Sequence, residues 1–372
     1  MTSRNIALDH IKAVACLLIV CHHLAFYGPM ADVVQTILPG LIAWLDKYAR
    51  MAVQVFLVMG GYWAAAAIAP EGHGKPNALW PALSKRYLRL SLPYTAALAT
   101  AIVVNEVVRS MGFEHASVSA TPTWDGVLAH LLLLHSIAGY EALSAGVWYV
   151  AIDFQLYALC LLWFWLCRKQ LRWPALAQMG VVVATAASLW LWNLNSQLDI
   201  WAPYFMGAYG LGMMAWWATH CASPRHTLFW AIVITILTLI ALWIGWRDRI
   251  ALAGFSATFL VTLPYLKTAT AGLQIALSPL TWIGLRSYSI FLIHFPISLL
   301  VNAAIHRLWP TNMLANALGM LAAVFLSVAA GGVLYRWTEQ RSITWPLLWR
   351  WQAVALLLGL LAYAWVRAQS CC

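Results

Sequence analysis

Apolar residues along this chain come in long blocks, not in alternation. Blocks close to the roughly 20 residues of a membrane-spanning helix cover 10–28, 51–69, 88–108, 148–167, 174–193, 201–219, 227–246, 250–266, 287–304, 313–336 and 346–366. The gaps between them hold Lys, Arg, Pro and Gly. Ten-residue segments of alternating polarity, the mark of a membrane barrel, do not recur. The pattern predicts an all-α polytopic bundle of about ten to eleven transmembrane helices, one domain over 1–372. Val127–Leu134 is too short to span and is expected as an interfacial or re-entrant helix before the fourth span. Leu273–Leu285 is expected as a short helix on the inner side.

Composition excludes a soluble fold. Of 372 residues 63% are hydrophobic and 9% are charged, where a soluble domain carries about 25% charge. No stretch is long and polar enough for a soluble domain, and no internal repeat is visible. The first apolar run lacks a small-residue cleavage site and is expected to stay as the first helix. The net charge of +10 would point to nucleic acid in a soluble protein. Here the basic residues sit between the apolar blocks and report topology. With the N-terminus inside, 15 of the 22 Lys and Arg fall on the inner side and seven on the outer, so a cytoplasmic N-terminus is expected. The seven cysteines show no metal-ligand spacing and read as small apolar fillers. No metal is expected. Cys371 and Cys372 have no reading of their own.

Few residues are left to carry chemistry. His22 and His23 follow the run Leu17–Cys21. Counted from Ile11, His23 lies about 18 Å along the first helix, past the midplane of a core about 30 Å thick. An ionisable group at that depth is a functional candidate, and of two imidazoles about 100° apart one is expected to be structural. Arg86 and Arg89 share a face at i, i+3 near the inner end of the third span. They suit a phosphate or carboxylate, or a plain positive-inside anchor. Asp153 lies in the outer half of its span, at a depth comparable to His23. It is a candidate to orient an imidazole or to pair with a group on another helix. His294, about 10 Å in from Ser287, is a third intramembrane imidazole. Asp9 either caps the first helix or pairs with an arginine such as Arg86. Glu339 reads as part of a surface ion-pair network with Arg336 and Arg341.

In order, these stretches resemble the integral-membrane acyltransferase family 3. LDHIKAVACLLIVCHH is similar to the family's opening motif, in which a histidine stands fourteen positions after the aspartate. From Asp9 that step selects His23. RYLR matches the Arg-x-x-Arg motif (Arg86, Arg89), VWYVAIDFQLY the Trp-x-x-x-x-Glu-x-x-x-Tyr motif, and SYSIFLIHFP the late Ser-Tyr-Ser-x-Tyr-x-x-His-x-Pro motif. MAVQVFLVMGGYW and RWTEQR resemble two further segments, so the likeness runs from Leu8 to about Arg341. The chain departs from the family at four points. Asp153 stands for Glu, one methylene shorter; Gly60 stands for Ser; Lys12 stands for Arg; and no Arg-Pro follows Glu339.

The resemblance implies a multi-pass protein of the bacterial inner membrane that acylates envelope glycans. Acetyl-CoA is the expected donor, with succinyl as an alternative acyl group. The acceptor is expected to be a hydroxyl of a surface or exported polysaccharide, or of its lipid-linked repeat unit. His23 is expected as the general base, Asp153 to orient it or meet the acceptor, and Arg86 and Arg89 to hold the donor's phosphates. Asp9, His22, Tyr288 and His294 are expected to support the site. No fused esterase-like domain is visible, so the chain is expected to transfer the acyl group itself or to hand it to a separate protein. The competing reading is a transporter or flippase of a lipid-linked glycan, whose internal repeats are missing here. A sensory membrane protein has no need of buried His and Asp at matching depth.

Overall fold

The computed structural model describes residues 6–75, 78–168, 174–221, 223–269 and 278–370. Among these every regular element is a helix: α1 (Ile6–Phe26), α2 (Pro29–Gln35), α3 (Pro39–Tyr48), α4 (Val53–Ile68), α5 (Leu79–Ser110), α6 (Trp124–Leu131), α7 (Val147–Leu166), α8 (Pro174–Trp190), α9 (Ala202–His220), α10 (Pro224–Ile244), α11 (Asp248–Thr262), α12 (Ser278–Leu308), α13 (Met313–Thr338) and α14 (Trp345–Ser370). Prolines open α2, α3 and α10 in their first turn, where a missing N–H costs nothing. Thr123 and Asn312 cap α6 and α13 by accepting from Gly126 N and Ala315 N at 3.2 and 2.9 Å.

Ten described segments are long and apolar enough to cross a membrane, which makes this a multi-pass membrane protein. Several boundaries differ from the sequence expectation, and α5 begins at Leu79 instead of 88. The second span begins at Pro39 instead of 51, because α3 runs on into α4. α9, expected as a span at 201–219, is a helix of 19 residues, but its Gly, Trp and Tyr content leaves it out of those ten. α12 begins nine residues before 287. Hydropathy takes Arg286 as a boundary, yet the helix passes beneath it. The guanidinium lies over the rings of Trp282 and Tyr335, 4.0 and 4.8 Å from their centroids, so the charge is met without breaking the helix. The expected short helix Leu273–Leu285 therefore belongs to α12 from Ser278 on. Its residues 273–277 lie outside the described residues, as do Cys371 and Cys372 and the basic Lys169 and Arg172. The short helix expected at Val127–Leu134 is α6, which stops before Leu133 at φ 58°.

The chain divides into two compact units. One comprises Met1–Ala52, Tyr87–Ala151 and Leu277–Cys372. In it α1 packs along α12, α12 along α13, α2 and α3 against α1, and α6 against α14. Near the end of α6, outside the spans, His130 donates from Nδ1 to Gly126 O at 2.7 Å, and its Nε2 accepts from Leu143 N at 3.2 Å. His135 stacks on it at 4.2 Å, and both rings are fully buried. Burial lowers both imidazoles, His130 to about 4 and His135 to about 3.

The second unit comprises Val53–Arg86 and Ile152–Ala276. Its centre is α9, which touches α4, α8, α10 and α11. A helix that is apolar all round must be enclosed, and small residues let neighbours close on it. A Cβ on Gly61 would lie 1.8 Å from Tyr209 O, and one on Gly212 would lie 1.8 Å from Val58 O. The α4–α9 backbones touch at these two positions.

Candidate functional site

α1 and α12 run parallel in one register over most of their length. His10 Nε2 lies 2.9 Å from Thr281 Oγ1. Cys16 Sγ donates to Ser287 O at 3.4 Å. His23 Nδ1 lies 2.6 Å from His294 Nε2. All three pairs are 271 positions apart. Close approach at the start of the pair rests on Gly284, where a Cβ would stand 1.9 Å from Asp9 O. This constant offset brings two deep imidazoles together.

The two rings are nearly parallel, at 7° and 4.9 Å between centroids. Tyr27 and Phe295 meet His23 edge-on. His294 is fully buried, and its Nδ1 lies 2.6 Å from Phe291 O. His23 keeps part of its surface exposed. His22, one residue earlier, turns away from α12. It is buried, with Nδ1 3.2 Å from Leu45 O of α3 and its ring stacked on Phe26. Of the adjacent pair, His23 is the ring that meets the second imidazole of α12, while His22 is held by the backbone of α3.

Direct contact between His294 and His23 was not foreseen from sequence. A span beginning at 287 puts His294 only about 10 Å deep, well short of His23. Measured from Ser278, the start of α12, His294 is about 24 Å along its helix, and His23 is about 25 Å along α1 from Ile6. Equal depth was the missing signal, and the boundary at Arg286 hid it.

Below the imidazoles the same unit gathers polar groups. Ser289 Oγ donates to Glu339 Oε1 at 2.5 Å. Ser289 precedes His294 by five residues, or about 7 Å of helix. Burial pushes the Glu339 carboxyl up, while Ser289, Arg89 and Lys12 pull it down. Glu339 is thus a half-buried carboxyl near two cations, and its hydrogen bond to Ser289 was not foreseen. Asp9 pairs with Lys12 at 2.7 Å. Tyr288 Oη donates to Leu90 O at 2.9 Å and ties α12 to α5 one residue beyond Arg89. Arg89 itself is exposed.

Arg86 and Asp153 meet in the second unit. Arg86 Nη2 donates to Asp153 Oδ2 at 2.5 Å, and the guanidinium lies over the Tyr157 ring at 5.1 Å. Asp153 is 3% exposed. The sequence reading offered it to His23, to the acceptor or to a group on another helix; the bond the structure gives it is to Arg86 of α5. Its Oδ1 is buried without a hydrogen-bond partner and faces Gly60, whose Cβ, if present, would stand 2.8 Å away. The two family departures, Gly60 for Ser and Asp153 for Glu, therefore touch. The Tyr157 ring thus supports the guanidinium. Among the described residues no group of three His, Cys, Asp or Glu is placed to hold a metal ion.

Comparison with known proteins gives one match. The model of a family described as an acyltransferase domain matches residues 5–331. No curated protein and no solved structure matches the chain.

Proposed function

The chain belongs to the integral-membrane acyltransferase family 3, and we propose that it moves an acetyl group from acetyl-CoA to a hydroxyl of a surface or exported polysaccharide, or of its lipid-linked repeat unit. The observation that carries this reading is the His23–His294 pair. It is an imidazole with one nitrogen engaged, with Lys12 of α1 and Ser289 of α12, near Glu339, farther toward the N-terminal ends of the same two helices.

The donor is made in the cytoplasm, and its head carries phosphates. Arg86 and Arg89, less than one turn apart on α5, take those phosphates. Arg86 does so as a guanidinium held by Asp153 and Tyr157. We assign Asp153 to positioning Arg86. The level of Leu90 and Tyr288 is about 9 Å below His294 along α12, so the flexible pantetheine arm bridges from the level of Arg89 to the imidazole. His23 accepts the proton of the acceptor hydroxyl as its oxygen attacks the thioester carbonyl. The O–C bond forms and the C–S bond breaks. The departing thiolate of CoA then takes the proton from His23. No acyl-enzyme is needed, and the base is restored within one turnover.

The test is transfer of labelled acetyl from acetyl-CoA to the host's exported polysaccharide in proteoliposomes. His23→Ala is expected to abolish transfer while acetyl-CoA binding, read by calorimetry in detergent, survives. Arg86→Ala with Arg89→Ala is expected to weaken that binding far more than glycan binding. Persistent transfer in His23→Ala, with loss in His22→Ala instead, overturns the assignment of the base. A flippase gives no label on the glycan with any variant.

A further inference from the structure

We infer that His294 is a positioning residue that sets the tautomer of His23 and leaves the basic lone pair on His23 Nε2. The inference rests on the reading of His23 as the base and adds the proton positions that such a base requires.

The chain of hydrogen bonds has one fixed end. A backbone carbonyl oxygen only accepts, so the 2.6 Å contact between His294 Nδ1 and Phe291 O puts a proton on Nδ1. Among the described residues no acid is hydrogen-bonded or ion-paired to His294, and the residue is fully buried. A charge there would stand without a counter-ion at large cost, so the ring is neutral and its Nε2 carries a lone pair. The 2.6 Å contact between that nitrogen and His23 Nδ1 needs one proton, and only His23 can supply it. His23 is therefore protonated on Nδ1, with its lone pair on Nε2. Turning the His294 ring over would place C–H groups against both Phe291 O and His23 Nδ1, so the two short contacts also fix its orientation.

Catalytic histidines elsewhere have their tautomer held by a carboxylate. Here a second imidazole does that work, and its own tautomer is dictated by the backbone of α12. The source is local, since His294 and Phe291 stand three apart on one helix. Delivery to His23 depends on the register shared by α1 and α12. Because the relay is neutral, it adds no negative charge at this depth, where an unpaired carboxylate is expensive. Asp153 is then not needed beside the base, consistent with its bond to Arg86.

The test separates acceptance of a hydrogen bond from the filling of space. In His294→Gln an amide oxygen can accept from His23 Nδ1–H; in His294→Phe the ring remains but cannot accept. Loss of the correct tautomer costs up to about 10⁴-fold in turnover. His294→Phe is expected to lower kcat by about 10²- to 10⁴-fold with little change in KM for acetyl-CoA, and His294→Gln is expected to recover at least tenfold over it. Equal loss in both variants, or full activity in the Phe variant, overturns the inference. A second readout does not depend on turnover. In ¹⁵N-histidine-labelled protein, the signals lost on His23→Gln are expected to be those of a neutral ring protonated on Nδ1. Signals of a ring protonated on Nε2 overturn the inference even if acetyl transfer is confirmed. An inactive enzyme with the expected signals overturns the proposed activity and leaves the relay standing.

Discussion

Gly284→Ala tests the link between helix contact and chemistry. The added methyl would stand 1.9 Å from Asp9 O, where an ordinary carbon–oxygen contact is about 3.4 Å. α1 and α12 must therefore part by about 1.5 Å at that point. If α1 moves as a rigid rod, the His23–His294 contact widens by the same amount. If it pivots about the far contact just after α1, Asn302 Nδ2 with Tyr27 O at 3.5 Å, the imidazoles lie a little under halfway from pivot to clash along α12 and part by about 0.7 Å. The 2.6 Å contact then becomes roughly 3.3–4.1 Å, at or past the limit of a useful hydrogen bond. A misplacement of about 1 Å at a reacting group costs on the order of 10²-fold. The expected result is therefore a drop of about that size in acetyl transfer from protein that still inserts and binds acetyl-CoA. Gly40→Ala is the control, because its added methyl meets no atom within 4 Å, and it is expected to transfer normally. Wild-type transfer by Gly284→Ala would refute the idea that the α1–α12 approach sets the imidazole pair.

Other perturbations follow from the same geometry. Asp153→Asn leaves the Arg86 guanidinium without its counter-ion; because a fifth of Arg86 is exposed, the loss is put at up to about 3 kcal/mol. It should appear as a lower thermal midpoint by tryptophan fluorescence in detergent, largely recovered in Arg86→Met with Asp153→Leu. A single variant as stable as wild type would count against the ion pair. The His130–His135 stack predicts acid sensitivity. Both imidazoles are depressed from 6.5, to about 4 and about 3, so below 6.5 the opened segment binds more protons than the folded one. Stability is then full above 6.5 and is lost as pH falls toward 4 and 3. Limited proteolysis within residues 111–146 should rise over that window and be blunted by His135→Phe; identical cleavage at pH 7.5 and pH 5 would rule out this reading.

The helices were legible in the sequence because a spanning segment is defined locally, by about 20 apolar residues that must close their own hydrogen bonds. Chemistry was legible where polar groups stood out against that background: His22 and His23, Arg86 and Arg89, Asp153, His294. Depth arithmetic went wrong at α12 for a physical reason. An arginine stacked on Trp282 and Tyr335 does not end a helix, although hydropathy counts it as an end. α9 was legible too: the helix expected at 201–219 is present as Ala202–His220, where enclosure by four other helices lets Gly, Tyr and Trp stand in place of aliphatic residues.

Pairing lay beyond the reach of a single sequence. Nothing in the strings around His23 and His294 states the offset of 271 that joins them, and nothing around Arg86 names Asp153 as its partner. Those partners are chosen by which backbones can approach, through Gly284 against Asp9 and through Gly60 beneath Asp153. Helix formation and burial depth depend on neighbours along the chain. Which nitrogen of which histidine holds a lone pair depends on contacts between segments hundreds of residues apart, and these exist only once the helices have packed.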